Sequence, residues 1–329
     1  MPANVPDAPL VISEIGSRHI GGRVVTLTGL PKRGRISTPG ASVHPIDPNG
    51  EIVVGQLYAQ YVRLAAPRSP HPLLMWHGGG MSGVTWETTS DGRPGWQMAF
   101  LRAGFDVWVS DAVERGRAGW APYPEVYPEA PYFRTGREAW EEIFRFGPPG
   151  SWHADPQHRR PYADLRFPVA GMDNFMAQFV PRWATNDALT QSAYDALVGE
   201  LDSAIILTHS QGGNFGFRAA CAAPGRIKAV ISLEPSGAPD PEHTDAVPLR
   251  GIPHLFLWGD YLDRHSFWVD AVPKVRRWAE ALRAAGGTAD WVDLPALGIH
   301  GNSHALMADD NSDIIAGIVL DWLRGQGLV

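Results

Sequence analysis

The chain has 329 residues, which is enough for one large domain or two small ones. Its 28 Lys and Arg residues stand against 35 Asp and Glu residues, so the formal net charge is −7. Because there is also no run of basic residues, the composition argues against a nucleic-acid-binding protein. A hydrophobic share of 44% with 19% charged residues predicts a sizeable core, and no segment approaches the ~20 consecutive apolar residues of a membrane helix.

Short apolar runs alternate with helical stretches along most of the chain. The predicted strands are, in chain order, 22–28, 51–64, 73–76, 105–110, 204–208, 227–233, 254–258 and 291–294. The predicted helices cover 96–103, the residues after 210 up to 223, 267–285 and 314–323. This alternation is typical of an α/β protein with a mostly parallel central sheet flanked by helices, and the first two strands are expected to be antiparallel at one edge.

Residues 117–200 interrupt this alternation and are crowded with proline and aromatic side chains. The aromatic residues include Trp120, Tyr123, Tyr127, Tyr132, Phe133, Trp140, Phe144, Trp152, Tyr162, Phe167, Phe175, Phe179 and Trp183. So long an interruption is more often functional or disordered, and its aromatic content argues against disorder. We interpret it as a cap insertion between core parts at 1–116 and 201–329. It would form an aromatic substrate pocket, and the alternative is a packed surface excursion whose rings serve the core.

The sharpest motif lies at residues 204–213, where a buried apolar run leads into Thr-His-Ser-Gln-Gly-Gly. A serine on a tight turn between a strand and a helix is the nucleophile elbow of hydrolases, and its pattern is G-x-S-x-G. The turn needs small residues two positions before and after Ser210, which here are Thr208 and Gly212. Thr208 departs from the preferred glycine. A plain strand–helix turn is the alternative interpretation.

A second motif follows the predicted strand 73–76, where the chain reads His77-Gly78-Gly79-Gly80. Such a glycine loop supplies one backbone N–H of an oxyanion hole, and the residue after the nucleophile supplies the other. The predicted pair is the amides of Gly79 and Gln211, with Gly80 as the alternative to Gly79. His77 is expected to anchor the loop, and a flexible turn is the alternative for the glycines.

A serine nucleophile needs a base and an acid, in the chain order Ser, acid, His. His300 and His304 both lie between the last strand and the closing helix. His304 is the favoured base, because it stands next to the closing helical region after a Gly-Asn-Ser turn, and His300 is the alternative. The acid is either Asp260, or nearby Asp263, after strand 254–258, or Glu234 after strand 227–233. Either carboxylate would hold the histidine tautomer and stabilise the imidazolium.

These residues resemble the α/β-hydrolase superfamily, and more narrowly a group of bacterial esterases first described from Alcaligenes. The resemblance is carried by residues 81–93 with Gly95-Trp96, by 111–117, by His209-Ser210-Gln211-Gly212, by Leu233-Glu234-Pro235 and by Gly301-Asn302-Ser303-His304. It implies a triad of Ser210, His304 and Glu234. The related esterase has two cysteines where this chain has Gly79-Gly80, so any redox feature of that loop is absent here.

The predicted function is a serine carboxylester hydrolase acting through an acyl-enzyme on a small, hydrophobic or aryl ester. No cofactor or metal is expected, and the expected partner is the ester alone, with no nucleic acid and no membrane span; a homodimer stays open. Alternatives with the same residues are a lactonase, a thioesterase or an acyltransferase. A non-catalytic receptor with a hydrolase fold is the alternative from another class.

The single cysteine and the N-terminal residues bear on the compartment. Cys221 is the only cysteine, so no intrachain disulfide is possible, which fits a reducing compartment without excluding export. Residues 1–10 contain neither a basic n-region nor an apolar h-region, so no signal peptide is visible. The location is therefore open: periplasmic or secreted if a leader was removed, cytoplasmic otherwise. The resemblance keeps the periplasm open, because the characterised member of that esterase group is exported.

Overall fold

The computed structural model describes residues 9–329. The expectation about a signal peptide concerned residues 1–10, most of which lie outside the described residues. The strands are β1 (Ile12–Leu27), β2 (Arg33–Arg35), β3 (His44–Ile46), β4 (Gly50–Leu64), β5 (Leu73–Trp76), β6 (Val107–Asp111), β7 (Ala204–His209), β8 (Ile227–Leu233), β9 (His254–Trp258) and β10 (Ala289–Asp293). The helices are α1 (Val84–Glu87), α2 (Trp96–Arg102), α3 (Gly136–Glu138), α4 (Met172–Ala177), α5 (Asp187–Gly199), α6 (Gln211–Ala222), α7 (Ser266–Ala284) and α8 (Ser312–Gly325).

Eight strands form one sheet in the order β1-β4-β6-β5-β7-β8-β9-β10, and β2 pairs with β3 apart from it. The β1–β4 and β4–β6 pairs are antiparallel, whereas the pairs from β6 to β10 are parallel. Every residue of β5, β7 and β9 is buried, as expected for strands covered on both faces. The predicted mostly parallel sheet with an antiparallel edge is therefore confirmed.

Helices cover both faces of the sheet. One apolar cluster joins α2 and α8 to one face, and a second joins α5, α6 and α7 to the other. The parallel strands all end at the edge that carries Asp111, His209, Leu233 and Trp258. Residues that follow these strands consequently meet at one edge of the sheet, where open α/β sheets bind their ligands.

Strand β1 starts ten residues before the predicted strand at 22–28. Its residues are mostly exposed, and Gly21 and Gly22 have φ of 75° and 84°, so no apolar alternation marks its first half. Antiparallel pairing with the partly buried β4, from Ile12 opposite Leu64 to Leu27 opposite Gly50, fixes the strand. Tertiary pairing thus overrides a weak local pattern.

The predicted cap segment divides into parts with different packing. Five of its rings lie in the core cluster beside α2 and α8, and these are Trp140, Phe144, Phe146, Phe167 and Phe175. Helix α5, by contrast, packs on the opposite face, where the Tyr194 ring stacks 4.0 Å from Trp76. Within residues 9–329, no helix is long and apolar enough to cross a membrane.

Candidate active site

Ser210 lies between β7 and α6 with φ of 53° and ψ of −117°, a conformation that L residues rarely adopt. Such strain, of order 1–3 kcal/mol, persists only where surrounding contacts determine it. Here the Ser210 N–H donates to the Leu233 carbonyl at 3.0 Å, and its own carbonyl accepts from Gly213 and Ser236 at 3.0 and 3.1 Å. The neighbouring strand β8 therefore holds the turn in its strained form.

The small residues around Ser210 are required by close approach. A Cβ on Gly212 would lie 2.8 Å from the Trp76 carbonyl oxygen, so no larger residue fits there. Thr208, the departure from the usual pattern, is accommodated by the glycine at 216, since a Cβ at that position would lie 2.9 Å from Thr208 Cγ2. The Thr208 hydroxyl donates to the Ile231 carbonyl at 3.1 Å.

The glycine loop after β5 passes directly beside the serine. A Cβ on Gly78 would lie 3.0 Å from Ser210 Cβ. Within residues 9–329, the N–H groups of Gly79 and Gln211 make no hydrogen bond to another residue, and Gln211 opens helix α6, whose N-terminus favours negative charge. Two backbone donors beside Ser210 are thus free to bind a developing oxyanion.

The His77 side chain holds the glycine loop in place through two hydrogen bonds. Its Nε2 accepts the Ala112 N–H at 3.0 Å, which leaves Nδ1 to donate to the Gly78 carbonyl at 2.8 Å. Burial, reinforced by nearby Arg115, lowers the pKa of His77 to about 4. The ring is therefore neutral near pH 7 and acts as a fixed link between β6 and the loop.

The predicted acid and base lie in contact. Glu234 follows β8 with φ of 44°, and its Oε2 lies 2.5 Å from Nδ1 of His304. Both side chains are buried. The alternatives pair with each other instead, because His300 Nδ1 lies 3.6 Å from Asp260 Oδ2, and the His300 side chain is 59% exposed. The structure thus brings Glu234 to His304 and pairs Asp260 with the exposed His300.

Two aromatic rings pack against the His304 imidazole. Its ring centroid lies 4.3 Å from that of Trp268 and 4.4 Å from that of His209, the residue before Ser210. Its Nε2 is buried and has no hydrogen-bond partner within residues 9–329, so no bond to the Ser210 hydroxyl is formed here. Such bonds are often long without substrate and tighten in the complex.

Arg145, which sequence reasoning missed, completes the acid's environment. Its Nη2 donates to Glu234 Oε1 at 2.6 Å, and its Nε donates to the Asp260 carbonyl at 2.8 Å. Glu234 Oε1 also accepts the Gly259 N–H at 2.7 Å. Arg145 and Glu234 are both fully buried, so each charge depends on the other. No sequence signal marked this arginine, because it lies within the aromatic insertion.

Replacing Arg145 by Met is expected to lower the free energy of unfolding by about 3 to 5 kcal/mol, because the buried Glu234 would lose its arginine counter-charge. We also expect kcat to fall by ~10- to 100-fold, with the acid limb of the pH–rate profile at higher pH, because Arg145 is one of the groups that lower the pKa of His304. Urea unfolding and pH–rate profiles measure both effects.

The matched control for Arg145→Met is Arg159→Met. Arg159 is also a buried arginine of the insertion and pairs with Asp173 at 2.6 Å, away from Glu234. Its loss should change stability without moving the acid limb. Arg145→Lys, which keeps the charge, should restore part of the turnover. An unchanged pH profile in Arg145→Met would contradict the assigned role.

The loop that carries His304 is fixed by a second carboxylate. Buried Asp309 accepts the Ser303 hydroxyl at 2.6 Å, and it accepts the Ser303 backbone N–H and the Asn302 side-chain amide at 2.9 Å each. Arg93, from the segment 81–93 that carries the family resemblance, donates to the carbonyls of Ala308 and Asp309 at 3.0 Å. That segment therefore supports the histidine loop rather than contacting the serine.

A cavity of about 420 Å³ opens onto Ser210. Most of its lining residues are polar, and Ile143, Ala184 and Phe267 add apolar surface. Most rings of the insertion lie in the core instead. Within the described residues, no group of three or more His, Cys, Asp or Glu is arranged to hold a metal ion.

Known proteins resemble this chain over most of its length. A solved structure described as a novel bacterial esterase is 34% identical, covers 98% of both chains and superposes with a TM-score of 0.81. A curated protein of Fungal sp. (strain ATCC 74256), named "Probable secreted lipase phiG", is 28% identical and covers 79% of this chain and 83% of its own. No protein-family model matches the chain. On the likeness to the bacterial esterase, the chain belongs to the esterases of the α/β-hydrolase superfamily and is a carboxylic ester hydrolase.

Proposed function

We propose that the enzyme cleaves carboxylic esters through an acyl-enzyme on Ser210, with His304 as the base and Glu234 as the acid that orients it. The observation that carries this proposal is the strained Ser210 turn, which lies beside two unbonded N–H groups and shares its sheet edge with the 2.5 Å contact between His304 and Glu234. This combination matches the requirements for acyl transfer by an activated serine.

In the first half-reaction, Ser210 Oγ attacks the ester carbonyl carbon while His304 Nε2 takes the hydroxyl proton. The carbonyl π electrons move onto oxygen, which the N–H groups of Gly79 and Gln211 stabilise, with Gly80 as the alternative to Gly79. The intermediate then collapses, the bond between the acyl carbon and the alcohol oxygen breaks, and the alcohol leaves with the proton from His304. The acyl group stays on Ser210.

In the second half-reaction, water attacks the acyl carbon and gives its proton to His304. Ser210 Oγ leaves and takes that proton back, so the free acid is released and the enzyme is restored. Throughout, Glu234 fixes the tautomer with the proton on Nδ1 and stabilises the imidazolium. Arg145 holds the Glu234 carboxylate in place.

The substrate is a small ester, in keeping with the cavity of about 420 Å³. An aryl or hydrophobic preference stays a prediction, and Phe267 and Ile143 are the side chains that would serve it. Residues 117–200 provide the cap in this proposal. The part of the cap that serves the substrate ends near residue 186, because the helix α5 that follows packs on the sheet. A preference for aromatic over small aliphatic esters, measured as kcat/KM, tests the prediction.

Reaction with a fluorophosphonate probe tests the proposal, together with turnover of a short 4-nitrophenyl ester. We expect stoichiometric labelling that abolishes turnover. A non-catalytic receptor would not react with the probe, so absence of labelling would refute the proposal. Parallel assays on a lactone, a thioester and an added acceptor alcohol separate the hydrolase from the lactonase, thioesterase and acyltransferase alternatives.

The pH dependence of kcat/KM follows from the state of His304. Burial, with Arg145 and Arg134 nearby, lowers the pKa of His304 well below its ordinary 6.5. Only the neutral imidazole accepts the serine proton, so activity is lost as pH falls through this lowered pKa. We expect the acid limb of kcat/KM to lie below pH 6.5, measured from about pH 4 to about pH 8. A midpoint at or above 6.5 would contradict this assignment.

A further inference from the structure

We propose that Arg182 binds a carboxylate carried by the acyl part of the substrate, so that the preferred substrates are monoesters of short dicarboxylic acids. The inference rests on the proposed function, because it names the substrate class of the same site. Arg182 lines the cavity of about 420 Å³ together with Ser210, Gly79 and Gln211.

The Arg182 guanidinium lies against the oxyanion loop. A Cβ on Gly79 would lie 2.5 Å from Arg182 Nη1. In the proposed reaction the substrate carbonyl oxygen binds the Gly79 N–H, so a group that reaches Arg182 must be attached within a few bonds of that carbonyl. A short acyl chain that ends in a carboxylate meets this requirement.

The backbone of Arg182 is held firmly, whereas its charge is left unpaired. Its N–H and carbonyl exchange hydrogen bonds with Tyr132 at 3.0 and 2.7 Å, and the next residue, Trp183, is buried and donates to the Glu129 carbonyl at 2.7 Å. Within residues 9–329, its guanidinium makes no hydrogen bond or ion pair. A half-buried cation with free donors in a concave site is prepared to bind an anion.

The other charged groups in the cavity already have partners. Arg134 Nη1 lies 3.0 Å from Glu138, which also accepts the Tyr132 hydroxyl. Asp187 accepts the Gln211 side-chain amide at 3.1 Å.

Buried Arg115 donates to the oxygen of the same Gln211 amide at 2.9 Å. Burial, followed by repulsion from Arg182, lowers the pKa of Arg115 to about 10. Arg182 is therefore the cation of the cavity whose guanidinium forms no ion pair among the described residues.

The test compares monobenzyl succinate with benzyl succinamate, which replaces the carboxylate by a neutral carboxamide. For the wild-type enzyme we expect kcat/KM to favour the anionic ester by ~10- to 100-fold, the range for a charge-assisted hydrogen-bonded pair. In Arg182→Gln this ratio should fall to about 1, chiefly through KM of monobenzyl succinate. Arg182→Lys should keep part of the ratio, because a point charge remains without the planar fork.

Arg137→Gln is the matched control, since Arg137 is an exposed arginine of the same segment and does not line the cavity. It should leave both substrates and their ratio unchanged. The wild-type ratio should also shrink as salt is added, a readout that needs no variant.

A wild-type ratio near 1, or an Arg182→Gln variant that loses activity on both esters equally and keeps the ratio, would overturn the proposal. Failure of the wild-type enzyme to hydrolyse either ester or any 4-nitrophenyl ester would instead count against the proposed function.

Discussion

Ser210→Ala is expected to lower kcat for a short 4-nitrophenyl ester by ~10⁶-fold, leaving only the residual effect of the oxyanion donors and binding. The variant removes the one oxygen that would carry the acyl group, so neither half-reaction can proceed through the enzyme. Initial rates of 4-nitrophenol release measure the loss.

The substitution should not harm the fold, because the Ser210 hydroxyl makes no hydrogen bond within the described residues and the strained turn is held by backbone bonds. Thermal unfolding should therefore match the wild type. Ser17→Ala, on the exposed edge strand β1, is the matched control and should keep full activity. Wild-type rates in purified Ser210→Ala would show that this serine is not the nucleophile.

Glu234→Gln is expected to lower kcat by ~10⁴-fold, since a neutral amide neither stabilises the imidazolium nor fixes its tautomer. The amide would also leave Arg145 without its counter-charge in a fully buried site. Stopped assays with a large amount of enzyme measure so large a loss, and circular dichroism checks that the variant folds.

Asp260→Asn is the companion variant, because Asp260 was the alternative acid. Its carboxylate accepts the N–H groups of Tyr261 and Gly301 at 2.9 and 3.1 Å and lies beside exposed His300. We expect a change in kcat below about tenfold, the scale of a lost loop hydrogen bond. The reverse ordering of the two variants would move the acid from the end of β8 to the end of β9.

Much of the fold could be predicted from the sequence because its parallel strands are continuous apolar runs. The predicted bounds of β5, β8 and β9 match the structure to the residue. Such strands carry their signal locally, since both faces are covered and nearly every side chain must be apolar. Tight backbone turns also leave local marks, which is why the elbow at Ser210 and the glycine loop were visible.

Other elements depend on contacts that the sequence does not display. Strand β1 is mostly exposed, and its pairing with β4 decides its length. Helix α5 was hidden inside a segment dominated by aromatic residues, although Tyr194, Leu197 and Val198 form its buried face. These residues form an amphipathic stripe that is typical of a helix, but the proline and aromatic residues around it favoured an irregular insertion.

The same distinction holds within the candidate site. The sequence favoured His304 over His300 but left both open, and their placement separates buried His304, beside Glu234, from exposed His300. Arg145 and Arg182 gave no signal, because an arginine acquires its role from the carboxylate or cavity that the fold brings to it. Long-range placement of charge is therefore what sequence reasoning missed.

The most direct test of the proposed mechanism is a crystal structure of the enzyme inactivated with diethyl 4-nitrophenyl phosphate. We expect a phosphorus–oxygen bond to Ser210 Oγ, a phosphoryl oxygen within about 3 Å of the Gly79 and Gln211 N–H groups, and His304 Nε2 facing the adduct. An adduct on another residue, or a phosphoryl oxygen turned away from both amides with His304 out of reach, would contradict the account.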